Sequence, residues 1–497
     1  MGSSQKIANG FLWTVVFNIV NVVYGFISVP ILLSYFGKSQ YGLIGLATSI
    51  NVYMQLMDMG LGSTSLRFFS AWRAQEDIEN VKKSFQTSFA VYTIIGIINA
   101  FVLFLISLFS INIFNVTPDQ NIILKDLIKI LMISAFLEWI SSCFDQLIRS
   151  TENVAWIQKR SLLPKLFQIL ILIITIAFKL NIIMYFALTT FSIILILPMS
   201  LKKIRKEFPY LNYIPKIYKD IFIAIKSYSL NLFSFSIFQF SFYNLRTVFL
   251  GMRGSADSVA DFNIMGGIAT AVTMFGGAFL GTLLPSTSKV MALHNKDAYY
   301  RVAYDGTKYI SIILSFCCFG MITVLPDVLS IYVGEKYLYL VPWIYLWLLC
   351  TLGNHNQAIS SLILGGTDVR AVSYSSAFAS VIGLAASWFL IPYYNAGAAV
   401  IGFALYMLVQ IVFYYIYYWP KQMKINSKKV FTYCFIQYVF YGLIGCMICR
   451  QLPHFSNHWV NVLYLGGIFA LLYIILSWFT LPKNNREYLK ILIKKIK

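Results

Sequence analysis

Glu138, Ser141, Ser142 and Asp145 recur at i, i+3, i+4 and i+7 inside the apolar run Leu127 to Leu147. On a helix this spacing puts all four on one face. Carboxylates so placed can take up and release a proton or a sodium ion. Equally, each can pair with a nearby cation, as Asp145 can near Arg149. A second run, Ile221 to Leu250, brings Asn231, Gln239 and Arg246 close to one face, with serines and phenylalanines interleaved. Amides and hydroxyls set between aromatic rings suit sugars, which present hydroxyl edges and CH faces. Arg246 can hold a phosphate through two parallel N–H bonds, whereas Lys226, at the start of the run, offers only a point charge. The same serines and amides also suit helix packing, because they bond between helices. Further polar groups interrupt other apolar runs: Asn18 and Asn21, then Asn51, Gln55 and Asp58, then Asn354, His355 and Asn356. His355 titrates near neutral pH if free, or serves as a satisfied structural histidine.

All these residues belong to stretches of roughly twenty apolar residues, the length a helix needs to cross a hydrocarbon core of ~30 Å. Fourteen such segments are expected, the first Gly10 to Leu33 and the last Val460 to Leu481, giving an all-α polytopic membrane protein. An ionisable group in a membrane helix costs about 2.5–3.5 kcal/mol on insertion scales. The polar residues are therefore expected to face a bundle interior. The basic residues test the count. With the N-terminus inside, 31 of the 39 lysines and arginines fall on inner connections and 8 on outer ones. Positive charge stays on the cytoplasmic side, so both termini are expected there. The net charge of +20 does not point to nucleic acid. It flanks helices, where it attracts lipid headgroups, and no long polar segment exists to form a nucleic-acid domain. The first run is too long for a cleaved signal. All seven cysteines sit in or beside apolar segments, and the CxxC of Cys446 and Cys449 has no second pair or neighbouring acid. Buried small hydrophobes are the expected role, with no metal.

The most basic connection, Leu201 to Lys219, divides six segments from the rest. A shift of 222 residues places Gly45, Ala47, Thr48 and Leu61 on Gly267, Ala269, Thr270 and Leu283. Six spans per unit is an even number, so both units would enter the membrane from the same side. The expected organisation is an N-lobe (1–200), a basic cytoplasmic linker (201–219), a C-lobe in parallel pseudo-repeat (220–419), two further helices (430–481) and a basic tail (482–497).

Phe36 to Ala71 reads FGKSQYGLIGLATSINVYMQLMDMGLGSTSLRFFSA. This resembles the polysaccharide repeat-unit flippases of the multidrug/oligosaccharidyl-lipid/polysaccharide exporter superfamily, with an FGxxxYG turn, a helix, then xDxGLG before a basic loop. Leu250 to Ile268 resembles the corresponding turn into the eighth span. Asp58 and Gly60 would be structural parts of that motif. The resemblance implies a flippase, not an enzyme, in the bacterial inner membrane. Such proteins move an undecaprenyl-pyrophosphate-linked oligosaccharide to the periplasmic leaflet for O-antigen or capsule synthesis, among membrane lipids and beside a polysaccharide polymerase. It implies no cofactor beyond a coupling proton or sodium ion. Relatives often carry an acid near the end of the seventh span, where this chain has Arg246. Three other readings stay open. A cation-coupled drug antiporter of the same superfamily would normally use lobe carboxylates, and the first span has none. A lipid-linked peptidoglycan-precursor flippase would be expected to carry more cations in spans one, two and eight. A membrane glycosyltransferase would need larger loops.

Overall fold

The computed structural model describes residues 3–54, 58–151, 153–273, 296–364 and 370–480. Gln55, the later half of the eighth segment and the tail 482–497 lie outside them. Among the described residues there is no strand. The helices are α1 (Ser3–Phe36), α2 (Lys38–Met54), α3 (Asp58–Ala74), α4 (Ile78–Ile113), α5 (Pro118–Arg149), α6 (Val154–Ala177), α7 (Ile182–Glu207), α8 (Lys219–Arg253) and α9 (256–273). They continue with α10 (Lys296–Val333), α11 (Glu335–Ile363), α12 (Arg370–Tyr394), α13 (Ala396–Met423), α14 (Ser427–Arg450) and α15 (His458–Thr480). Every apolar segment read from the sequence coincides with helix wherever it is described. Among the described residues, eleven helices are long and apolar enough to cross a membrane. The protein is a multi-pass membrane protein. The two ends of the helices are called inner and outer after the charge-based orientation.

Local chemistry starts and stops these helices. Gly37 closes α1 at φ +82°, a left-handed conformation that glycine adopts without strain, and its N–H donates to the Leu33 carbonyl. The chain can then re-enter a helix at Lys38. Thr117 and Gln120 form a reciprocal capping box, with Pro118 in the first turn of α5.

The chain folds as two units. The first comprises Met1–Ile264 with Leu384–Ala399. Its core packs Phe69, Phe85, Trp139, Phe144 and Leu147 against Ile204, Phe208, Leu211 and Ile221. The stretch 201–219, expected as a linker, is thus folded onto this unit. Gln86 donates to the Ile214 carbonyl at 3.2 Å, and the Tyr218 N–H donates to Thr87 Oγ1 at 3.2 Å. On the outside, Ile97, Phe101, Leu108 and Ile173 are exposed in the pattern of lipid-facing helices.

The second unit comprises Met265–Gly383 with Val400–Lys497. α10, α14 and α15 pack together through glycines: Gly320 and Gly445 against Phe469, and Gly442 against Phe319. Cys446 lies against Thr323, and the cysteines are free thiols. Among the described residues of this unit five stretches leave α geometry: π turns at Val302–Gly306, Phe413–Met423 and Val430–Ile436, and 3-10 turns at Glu335–Leu340 and Leu352–Asn356. Such departures often mark functional sites.

Candidate functional site

At the outer end of the first unit, α2 and α9 meet along a seam built on glycine. A Cβ added to Gly42 would lie 1.8 Å from the Ala256 carbonyl oxygen, and one on Gly45 1.8 Å from Asn263 Nδ2. One on Gly251 would strike the Leu46 side chain. Gly42 and Gly45 are the glycines of the YGLIG sequence, and close backbone approach is what they are for. Lys38 donates to Asp261 at 2.9 Å across the rim of the seam. Asn115 stitches the α4–α5 loop to the end of α8, its Nδ2 donating to the Gly254 carbonyl at 2.6 Å and its N–H to that of Gly251 at 2.9 Å.

Arg246 belongs to this seam. It is 2% exposed, its guanidinium lies 4.9 Å from the Phe242 ring and 5.3 Å from that of Phe262, and Nη1 donates to the Ala399 carbonyl at 3.2 Å. The phosphate clamp read from the sequence is not open in this conformation. Lys226 and Gln239, on the same helix, are exposed; the Asn231 side chain lies outside the described atoms.

On the carboxylate stripe of α5, Asp145 accepts from Arg160 Nη2 at 2.9 Å; Arg160 is 4% exposed and also donates to Ser200. The partner of Asp145 is therefore Arg160 of α6 rather than Arg149. Glu138 is half-buried, and both it and Ser142 are engaged within the protein. On α1, Asn18 is half-buried and Asn21 exposed. Asn51 is buried, with an Oδ1 that meets no donor among the described residues. The xDxGLG motif packs α3 on α8: a Cβ on Gly60 would lie 2.2 Å from the Ser229 carbonyl oxygen, and Ser229 donates to Thr64 at 3.0 Å. The Asp58 side chain is outside the described atoms.

In the second unit His355 is structural. Its Nδ1 faces the Leu352 carbonyl at 2.9 Å, which only accepts, so Nδ1 carries the proton and Nε2 accepts from Tyr415 at 2.6 Å. Phe435 stacks on the ring at 3.9 Å and Trp419 meets it edge-on. Asn354 and Asn356 beside it are half-buried. At the outer end, His458 places Nδ1 2.7 Å from Asp327 and Nε2 3.3 Å from Glu335, while Asn461 donates to Asp327 at 2.9 Å. Asp327 thus holds the start of α15 against α10. Asp327→Ala is expected to speed amide exchange over residues 458–465 severalfold; unchanged exchange there would show that the helix is held elsewhere.

Sequence reading passed over Asn115, Asp261 and Lys165. Asn115 and Asp261 act through partners distant in sequence, Gly254 and Lys38. Lys165 was counted as an inner-loop cation, whereas it is the twelfth of the 24 residues of α6. Among the described residues no cluster of histidine, cysteine and acids could hold a metal ion.

The sequence profile described as Polysaccharide biosynthesis protein matches residues 7–291, more than half of the chain. No curated protein sequence matches it. Among solved structures, the Lipid II flippase MurJ in an inward closed conformation superposes with a TM-score of 0.74 at 13% identity, covering 94% of this chain and 98% of that one. An inward-facing multidrug resistance MATE family transporter of the MOP superfamily gives 0.60 at 14% identity, covering 83% and 96%. A MATE protein in the bent conformation gives 0.54 at 14% identity, covering 83% and 94%. The fold is shared with these flippase and transporter structures. With the profile spanning both the glycine motif and the seam it builds, the chain is a member of the polysaccharide biosynthesis protein family.

Proposed function

We propose that the protein is a flippase that carries a polyprenyl (undecaprenyl) pyrophosphate-linked oligosaccharide repeat unit from the cytoplasmic to the periplasmic leaflet of a bacterial inner membrane, for O-antigen or capsule synthesis. The observation that carries this reading is a polysaccharide-biosynthesis sequence on the fold of a lipid flippase. The physical task is to move a charged pyrophosphate and several sugars through hydrocarbon, where unsolvated polar groups are costly. The lipid tail can stay in the bilayer while polar side chains replace water around the headgroup. Alternating access supplies the movement. The glycine seam closes the outer end in one state, and parting it frees the headgroup to the periplasm. Glu138 is the candidate carboxylate for a coupling proton or sodium ion. The similarity to the Lipid II flippase favours a peptidoglycan precursor as the second reading, whereas a drug antiporter finds no acid on α1.

Purified protein in liposomes, given fluorescently tagged polyprenyl-pyrophosphate oligosaccharide, is expected to expose the tag to an impermeant quencher on the far side. Transport of Lipid II but not of the oligosaccharide carrier would move the assignment to the second reading. Movement of drug cations alone, under a proton or sodium gradient, would move it to an antiporter.

A further inference from the structure

Lys165 lies halfway along α6, eleven residues past Val154 and hence about 16 Å from its inner end. That depth is beyond a helix end from which a lysine snorkels easily, and an ionisable residue at mid-span is by default a functional group. Its Nζ sits 5.0 Å from the Tyr24 ring of α1. The ammonium is thus held by an aromatic face. Among the described residues no carboxylate pairs with it. Pro164 beside it lacks an N–H, which leaves the Arg160 carbonyl without its intrahelical donor and permits α6 to bend at this point.

The neighbouring face of α1 is polar. Asn21, Tyr24 and Ser28 stand at i, i+3 and i+7, one stripe of a helix. Trp13 lies eleven residues before Tyr24, three turns along the same stripe, and its ring holds Lys159 at 4.6 Å. Two lysines of one helix therefore rest on two aromatics of another, one near the inner end and one at mid-helix. A cation in hydrocarbon needs an opposite charge. Acids supply it elsewhere in this unit, Asp145 for Arg160 and Asp261 for Lys38, but not here.

We propose that Lys165, braced on Tyr24, binds the phosphate of the lipid-linked cargo at mid-membrane, with Lys159 on Trp13 as the station it passes from the inner end. This rests on the flippase reading above. The ligand class is a phosphorylated lipid head, and the shared chemistry of a cargo pyrophosphate and an ordinary phospholipid is separated by the test.

Full-length protein in detergent is titrated with farnesyl pyrophosphate, farnesol and phosphatidylglycerol, following binding by microscale thermophoresis, for wild type, Lys165→Met, Lys165→Arg and Lys125→Gln. Methionine keeps the length and inserts readily into a membrane. The expected result is a loss of about tenfold or more in farnesyl pyrophosphate affinity for Lys165→Met, the size of one charge-assisted hydrogen bond. Farnesol binding should be unchanged, Lys165→Arg near wild type and Lys125→Gln unaffected. Equal pyrophosphate affinity in a Lys165→Met protein that melts like wild type would overturn the proposal. So would phosphatidylglycerol binding as tight as pyrophosphate and equally lost, which would make this a bulk-lipid site. If Lys165→Met does not fold, Tyr24→Leu, which removes the brace and leaves the lysine, is expected to weaken pyrophosphate binding in the same direction. Lysine-dependent pyrophosphate binding without transport of the tagged oligosaccharide would sink the flippase reading and leave this site standing.

Discussion

Gly42→Val is expected to force the outer seam apart. Even a single Cβ at Gly42 would lie 1.8 Å from the backbone oxygen of Ala256, and a carbonyl in a helix cannot rotate out of the way. Overpacking commonly costs about 1–3 kcal/mol, and this geometry belongs at the upper end. A bias of that size against the closed seam shifts the closed-to-open ratio by up to about a hundredfold. The readout is labelling of Ser258→Cys, in a background without the seven native cysteines, by a membrane-impermeant maleimide added from outside. Ser258 is buried on α9, where it bonds to Ser255 and Asn395, and parting α9 from α2 should raise its labelling rate tenfold or more. Gly25→Ala is the control, because its added Cβ meets nothing within 4 Å. Equal labelling in both variants would show that the seam is not what shields Ser258.

Asp145→Ala is expected to be a stability lesion rather than a coupling lesion. Arg160 keeps 4% of its surface exposed and depends on Asp145 for its counter-charge. Removing one partner of a buried pair typically costs about 3–5 kcal/mol, because the other charge stays behind unpaired. The double variant Asp145→Leu/Arg160→Met should recover much of that loss, since an apolar pair of similar volume often substitutes at little net cost. The check is the melting temperature of purified protein beside its transport rate. A well-folded Asp145→Ala protein that transports without responding to an ion gradient would return this carboxylate to the coupling role. Glu138→Gln should show the opposite balance: little change in melting and a large change in ion dependence.

The two predictions divide along the line between what was legible in the sequence and what was not. Helix positions were legible because the length and apolarity of a span are properties of contiguous residues, as in α4, α5 and α15. Glycine at Gly42, Gly45 and Gly60 was legible as motif but not as cause, because the atoms that require it belong to Ala256, Asn263 and Ser229, more than 160 residues away. The partner of Asp145 stays open in the sequence for the same reason: Arg149 is nearer along the chain, and Arg160 of α6 is the residue that meets it in space. Arg246 read as an open cation because nothing local reveals that three rings cover it. Lys165 was lost differently. A basic residue after a proline looks like a loop to a charge count, yet the helix runs through it. His355 was left between a titrating and a structural role, and its hydrogen bonds to Leu352 and Tyr415 select the second.

The Lys38–Asp261 pair has a consequence for the medium the protein faces. The lysine is 27% exposed and the aspartate 10%, so this latch is wetted from outside while the glycine contacts beneath it are dry. Charges in contact with solvent feel dissolved ions: the screening length falls from about 30 Å at 0.01 M salt to about 8 Å at 0.15 M. Dry van der Waals contact does not change with either. The seam therefore has a salt-tunable rim above a salt-indifferent floor, and a cell in dilute surroundings holds its outer door more firmly shut than one in brine.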